Sequence, residues 1–339
     1  MRVDANRIAY ERVTTYAATL ESIRDAMRRV APHIHRTPVL CCATISRLAG
    51  RDLRFKCENF QKVGAFKFRG ACNAVFKLPE SAARRGVVTH SSGNHAQAMA
   101  LAARLRGIPA HIVMPTNAPA VKREAVEGYG GIVYPCKPTL ADREATADRV
   151  VRDTGGTLIP PFNHPDVIAG QGTISIEFLQ QCPDLAAIIC PVGGGGLLSG
   201  VTIAAKALVP TIRIIAAEPA NADDAARSKS TGSIQPVAEA ATIADGLRTS
   251  LGDLTFPVVR DLVDEVVTVS EDEIIDAMKL VFERAKLVIE PSSAVAVAVA
   301  LANRSSILAT LNGPVGVILG GGNVDLNALP WLRSAAPGA

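Results

Sequence analysis

Hydrophobic positions along this 339-residue chain follow two periods, and their alternation outlines a fold before any chemistry is considered. Leu20, Ile23, Met27 and Val30 recur at helical spacing ahead of a Thr37-Pro38 break, which predicts an amphipathic helix packed on a larger lobe. From Gly86 to Asp153 strand-like and helical patterns alternate: strands over 87–89, 110–114 and 132–134, helices over 96–106, 120–129 and 140–152. Such alternation implies a small parallel sheet with helices on its faces. The stretch Pro160-Pro161-Phe162-Asn163-His164-Pro165 carries few regular-structure signals and marks the return to the larger lobe, where apolar runs around Ile188, Ile214 and Val315 are separated by helices. The expected fold class is α/β and two-lobed, with a larger, open, mostly parallel sheet and a smaller parallel one. Residues 1–84 and 161–339 form the large domain in this reading and residues 85–160 the small one, with no room after Asn323 for a regulatory domain.

Composition narrows the function classes. A hydrophobic content of 48% suits two substantial cores. The formal charge of +4 comes from 36 basic and 32 acidic residues spread along the chain, with only short clusters such as Arg28-Arg29 and Arg84-Arg85. No nucleic-acid stripe is present, so small anionic ligands are expected and nucleic acid is not. The 7 cysteines, Cys41 and Cys42 in tandem among them, follow neither disulfide nor zinc spacing, which favours a reducing compartment. No apolar run reaches membrane-spanning length and Met1-Arg2-Val3-Asp4-Ala5 is not the start of a signal peptide, so the cytoplasm is the expected location.

One lysine and three polar segments then suggest chemistry. Lys67 stands between Phe66 and Phe68, where desolvation would lower its pKa and prepare the amine for covalent chemistry. The alternative is a lysine that lays its stem on an aromatic ring and its head in water. Ser91-Ser92-Gly93-Asn94-His95 follows a strand and opens a helix, a natural carboxylate site. Gly193-Gly194-Gly195-Gly196 does the same after the apolar run 186–192, offering free amides and a helix dipole to a phosphate. Gly320-Gly321-Gly322-Asn323 ends another strand. Each glycine loop also reads as a tight strand-to-helix turn with no ligand.

With these segments in place, the chain resembles a fold type II pyridoxal-phosphate enzyme of the serine racemase and serine/threonine dehydratase family. The likeness runs from about Thr37 to Leu326. It covers the lysine motif, 91–97, 167–173, the glycine loop, 217–224 and 286–291, in the family's order. The resemblance implies that Lys67 carries pyridoxal 5'-phosphate covalently and acts as the base at Cα. It further implies that Asn94 bonds the cofactor's phenolic oxygen, that Gly193 to Gly196 hold its phosphate, and that Gly320 lies by its ring nitrogen. Ser91, Ser92, Gly93, Asn94 and His95 would take the substrate carboxylate, with Ser92 as second acid/base on the opposite face. Arg143 would close over that carboxylate, or stand as an exposed helical arginine, and the small domain would be mobile. Glu218, Asp224 and the carbonyl of Ala222 resemble a divalent-cation site for Mg2+, Ca2+ or Mn2+, whereas the residues alone also read as a solvated acidic turn. A homodimer is implied as well.

Two departures from the family's pattern matter. Gly320 stands where relatives place a serine, cysteine or threonine beside the ring nitrogen. Lys62, Gln97, Tyr129, Lys286 and Asn323 match the nucleotide pocket of animal racemases, but Cys42, Ala43 and Val63 replace hydroxyl-bearing residues there, which puts ATP activation in doubt. The expected activity is a dehydratase/ammonia-lyase that converts a β-hydroxy-α-amino acid of serine, threonine, 3-hydroxyaspartate or aryl-serine type to a 2-oxo acid and ammonia. The alternative is a serine or aspartate-type racemase with elimination as a side reaction. Phe162, Asn163 and His164 either line the β-substituent pocket or shape a loop. A nicotinamide oxidoreductase is disfavoured because Gly193-Gly194-Gly195-Gly196-Leu197-Leu198 lacks the third glycine of the dinucleotide fingerprint.

Overall fold

The computed structural model describes residues 16–237, 240–302 and 304–335; the N-terminal stretch Met1-Arg2-Val3-Asp4-Ala5 read above lies outside them. Helix α1 (Leu20–Val30) starts at a reciprocal capping box between Thr19 and Ser22, and it buries Ile23, Ala26 and Val30. Next come β1 (Val39–Leu40), α2 (Ala43–Ala49), β2 (Leu53–Cys57), α3 (Lys67–Lys77) and the short α4 (Glu80–Ala83). The chain then alternates through β3 (Val87–His90), α5 (Asn94–Arg106), β4 (Ala110–Pro115), α6 (Ala120–Gly128), β5 (Ile132–Cys136), α7 (Leu140–Thr154) and β6 (Thr157–Leu158). Gly107 and Gly155 close α5 and α7 in the left-handed conformation, at φ 71° and 68°, the favoured way to stop a helix.

An irregular segment leads into α8 (Pro165–Gln181), followed by β7 (Ala187–Pro191), α9 (Gly196–Leu208), β8 (Arg213–Pro219), α10 (Asp224–Thr231) and α11 (Phe256–Leu262). The remaining elements are β9 (Glu265–Val269), α12 (Glu271–Leu280), α13 (Pro291–Leu301), α14 (Ser306–Thr310) and β10 (Val315–Leu319). The strands form two sheets. The larger has the order β1-β2-β10-β7-β8-β9 and is parallel except where β1 pairs antiparallel with β2. The smaller, β5-β4-β3-β6, is parallel throughout. The fold is therefore the expected α/β pair of sheets. Three strands lay outside the predicted set in the larger sheet (β1, β2, β9) and one in the smaller (β6).

Helix α8 links the parts that matter for the site. A Cβ on Gly170 would lie 2.6 Å from the Cα of Gly70 in α3, and one on Gly200 in α9 would lie 2.6 Å from the amide of Gly172. Glycine on both sides of each crossing thus lets α3 and α9 rest backbone to backbone on α8.

Candidate active site

Lys67 opens α3, and its amine donates to the Pro161 carbonyl at 2.8 Å. Only one of its flanking aromatics lies beside it. The Phe66 ring centroid is 5.2 Å from Nζ, whereas Phe68 is buried and lies 5.7 Å from the Lys62 ammonium. Lys67 is half-buried, and desolvation pushes its amine down to about 8 while the Glu290 carboxylate pulls the other way.

The approach to Lys67 is stitched to the end of β10. Phe66 N donates to the Gly320 carbonyl at 2.9 Å, and Ala65 pairs with Gly321 in an antiparallel bridge. Val63 sits at φ 56°, a strained conformation for a β-branched residue, and its carbonyl accepts from Asn323 Nδ2 at 2.7 Å.

The loop from Gly193 to Gly196 lies between β7 and the start of α9, with Gly195 at φ 84°. A Cβ on Gly194 or Gly196 would come within 2.5 or 2.8 Å of Phe162, and one on Gly195 within 2.8 Å of Leu251 and Thr255. Among the described residues none of these four glycine amides donates a hydrogen bond. Free amides at the start of a helix that runs to Leu208 make a cradle for an anion such as a phosphate.

Ser91 to His95 lead from β3 into α5. Ser91 Oγ accepts from the Gly93 amide at 3.3 Å, and among the described residues the Ser92 hydroxyl makes no hydrogen bond. Asn94 Nδ2 donates to both oxygens of Glu290, at 3.1 and 2.9 Å, and Asn94 Oδ1 accepts from Asn323 at 2.8 Å. His95 is buried, its Nε2 donates to the Ile159 carbonyl at 3.2 Å, and burial pushes its pKa down to about 3. The side chain of His95 is thus a neutral strut. What this segment presents to a ligand is backbone amides and the Ser92 hydroxyl.

Arg143 lies in the first turn of α7, its Nη2 donating to Pro138 O at 3.3 Å and its Nε buried without a partner. Its charge is felt at His90, immediately before Ser91. The linker residues are occupied: Phe162 fills the space over Gly194 and Gly196, Asn163 bonds Asp253 at 2.6 Å and the Leu254 amide at 3.0 Å, and His164 caps α8. They shape the loop. Glu290 was not singled out in the sequence. It precedes the proline that opens α13, is buried, and is pushed up to about 7 by desolvation. Its place in the motif that ends Glu290-Pro291 was the available signal.

The pyridoxal-phosphate dependent enzyme family matches residues 30–319. The chain belongs to this family. It is 52% identical over 316 residues to serine racemase of Oryza sativa subsp. indica, covering 93% of each chain. It is 48% identical over 316 residues to β-hydroxyaspartate dehydratase of Paracoccus denitrificans (strain Pd 1222), covering 93% of this chain and 99% of that protein. Maize serine racemase superposes with a TM-score of 0.91 at 52% identity, covering 94% of this chain and 97% of that one. The chain is thus a pyridoxal-phosphate-dependent enzyme of the serine racemase and dehydratase family. No helix among the described residues is long and apolar enough to cross a membrane.

For this enzyme the undonated glycine amides and the depressed Lys67 amine fit the phosphate and aldehyde ends of its cofactor. Glu218 and Asp224 are both buried. Glu218 accepts from the Ala225 and Ala226 amides at 2.7 and 2.9 Å, and Asp224 Oδ2 accepts from Leu251 N at 3.0 Å. Burial pushes their carboxyls up to about 8 and about 6, and Asp224 Oδ1 has no partner. Two buried carboxyls, bonded by backbone amides alone and leaving Asp224 Oδ1 orphaned, suit an oxygen-seeking cation. Among the described residues, however, no group of three or more His, Cys, Asp or Glu gathers at one point.

Proposed function

We propose that this enzyme removes water and then ammonia from a β-hydroxy-α-amino acid, leaving a 2-oxo acid. The observation that carries the reading is Gly320. Its carbonyl is taken by Phe66 N, the neighbouring Gly321 amide is taken by Ser293 Oγ at 2.8 Å, and it has no side chain to offer a ring nitrogen.

In this reading the amides of Gly193, Gly194, Gly195 and Gly196 would hold the phosphate, and Asn94, on giving up one of its bonds to Glu290, the phenolic oxygen. Lys67 would carry the cofactor covalently, and its amine, when free, would take the proton from the substrate's Cα on its own face. Ser91, Ser92, Gly93, Asn94 and His95 receive the substrate carboxylate through the start of α5, Arg143 closes over it, and residues 85–160 move as the small domain. When bound, the cofactor supplies an electron sink for the pair left at Cα. Gly320 would give the ring nitrogen no side-chain donor, which would weaken that sink, so the bond from Cβ to the hydroxyl would break before Ser92 delivers a proton. Water leaves, the resulting enamine tautomerises, and its hydrolysis returns that water and frees ammonia, so the net products are a 2-oxo acid and ammonia. The name of the Paracoccus relative supports this outcome.

A second reading, racemisation of serine or an aspartate-type amino acid, is favoured by the unengaged Ser92 hydroxyl and by the rice and maize relatives. The ratio of 2-oxo acid to inverted amino acid, measured for wild type and Gly320→Ser over a panel of serine, threonine, 3-hydroxyaspartate and an aryl-serine, separates the two. A serine at 320 would set its Cβ 3.3 Å from a Phe66 ring carbon, so the ring must yield by a few tenths of an ångström, and the backbone there is not left-handed. The variant should raise the racemised fraction; a wild type that racemises faster than it eliminates would sink the lyase reading. Glu218, Asp224 and the Ala222 carbonyl would hold Mg2+ or another hard divalent cation, and a homodimer is the proposed assembly.

A further inference from the structure

Arg69, two residues beyond Lys67, points about 200° around α3 from it and therefore into the opposite face of the helix. There it meets a buried four-charge network that the proposed reaction does not use. Arg69 Nε donates to Glu58 at 2.7 Å, Nη1 to Thr173 at 3.3 Å and Glu177 at 2.8 Å, and Nη2 to Glu58 and Glu177, both at 2.9 Å. Lys56 spends its three protons on Glu177 at 2.9 Å, Gln181 at 2.8 Å and the Thr37 carbonyl at 2.9 Å. Thr37 Oγ1 completes the shell by donating to Glu58 at 2.6 Å. Every proton of both cations has an acceptor, the charges cancel, and all four charged side chains are buried. Such a network contributes little net stability compared with an apolar core, but it tolerates a single geometry.

We infer that Arg69 is the positioning residue for Lys67: the network locks the rotation of α3 against β2 and α8, so that the lysine faces the cleft. The inference rests on the reading of Lys67 as the cofactor-bearing residue. Turning α3 enough to swing Lys67 out of the cleft would break the fork of bonds to Glu58 and Glu177 and strand buried charge. Arg69→Lys keeps the charge but cannot fork to two carboxylates.

The test uses the pyridoxal-phosphate-loaded enzyme, reduced with borohydride and mapped by peptide mass spectrometry, alongside its visible absorbance and its kcat and KM. For Arg69→Lys the fraction trapped at Lys67 under limiting cofactor should fall by about tenfold or more, with kcat falling further than KM rises. Thr173→Val, which removes one bond from Arg69 and the bond that Thr173 donates to the Gly170 carbonyl but spares both carboxylate contacts, should give a smaller loss in the same direction. Ile274→Ala in α12, a buried position that makes no bond to the network, serves as a core-destabilising control and should load as wild type does. Wild-type trapping in Arg69→Lys, or an equal loss in Ile274→Ala, would overturn the inference. A wild-type adduct on a different lysine would overturn the Lys67 reading itself, and with it this role for Arg69.

Discussion

Replacing Glu290 by glutamine should change the sign of its effect on stability with pH. In the cofactor-free chain the Glu290 carboxyl is pushed from 4.5 to about 7, chiefly by burial. At about 1.4 kcal/mol per pH unit this shift corresponds to roughly 3 kcal/mol. Below pH 4.5 the group is protonated in both folded and unfolded chains. Between 4.5 and about 7 the unfolded chain releases a proton that the folded chain retains, so the group's contribution to stability falls as pH rises and then levels off. Glutamine removes that dependence. It also gives up one of the two bonds from Asn94, because an amide nitrogen cannot accept, at a cost of about 1 kcal/mol. Glu290→Gln should therefore be about 1 kcal/mol less stable than wild type at low pH and about 2 kcal/mol more stable near pH 7, the two curves crossing near pH 5. Urea unfolding of both cofactor-free proteins at several pH values between 4.5 and 7 measures the difference, with titrating groups that do not feel Glu290 cancelling; the range stops at 7 because the Lys67 amine, which the carboxylate pulls up, titrates near 8. A difference independent of pH would show that Glu290 is not a neutral buried acid and would refute the reasoning.

Lys67→Ala should lose the visible absorbance of the lysine-bound cofactor and about 1,000-fold or more in activity, as removal of a residue that both links and takes a proton implies; full colour in the variant would contradict the assignment. Chelation should lower the melting temperature of wild type, and Mg2+, Ca2+ or Mn2+ should restore it; a Glu218→Ala variant that responds to chelator as wild type does would return Glu218 and Asp224 to a plain structural role. Gly170→Ala should cost about 1–3 kcal/mol on thermal unfolding, because its Cβ would lie 2.6 Å from the Cα of Gly70 and 2.7 Å from the Arg69 carbonyl. A neutral outcome would mean that α3 and α8 can separate freely.

The elements legible in the sequence were those whose burial is written in apolar residues. Strands β3, β4, β7, β8 and β10 are such runs, β5 is apolar in sequence though only Cys136 in it is buried, and their helices carry clear periodicity or glycine stops. Strand β2 was hidden because Lys56 lies fully buried in its middle, a charge tolerated only because Glu177, Gln181 and the Thr37 carbonyl converge on it from distant parts of the chain. Strand β6 holds two residues, too few for a pattern to show. In the site, the glycine loop was readable because its conformations demand glycine, as at Gly195. The inward turn of Glu290 and the outward turn of Phe68 from Lys67 depend on which face of each segment meets a neighbour, and spacing within one segment does not carry that.

The backbone contacts of α8 with α3 and α9 have an evolutionary consequence. Both helices that flank the chemistry, one beginning at Lys67 and the other at Gly196, abut the same rod through glycines, so their separation is set by main chain and does not drift when neighbouring side chains are exchanged. Under the proposed reaction, mutations at positions such as Gly320 and Ser92 would retune which bond breaks next without disturbing the anchorage. A lineage built on this frame inherits a fixed mount together with a replaceable selector, and relatives named for racemisation and for dehydration can share half of their residues with the same chain.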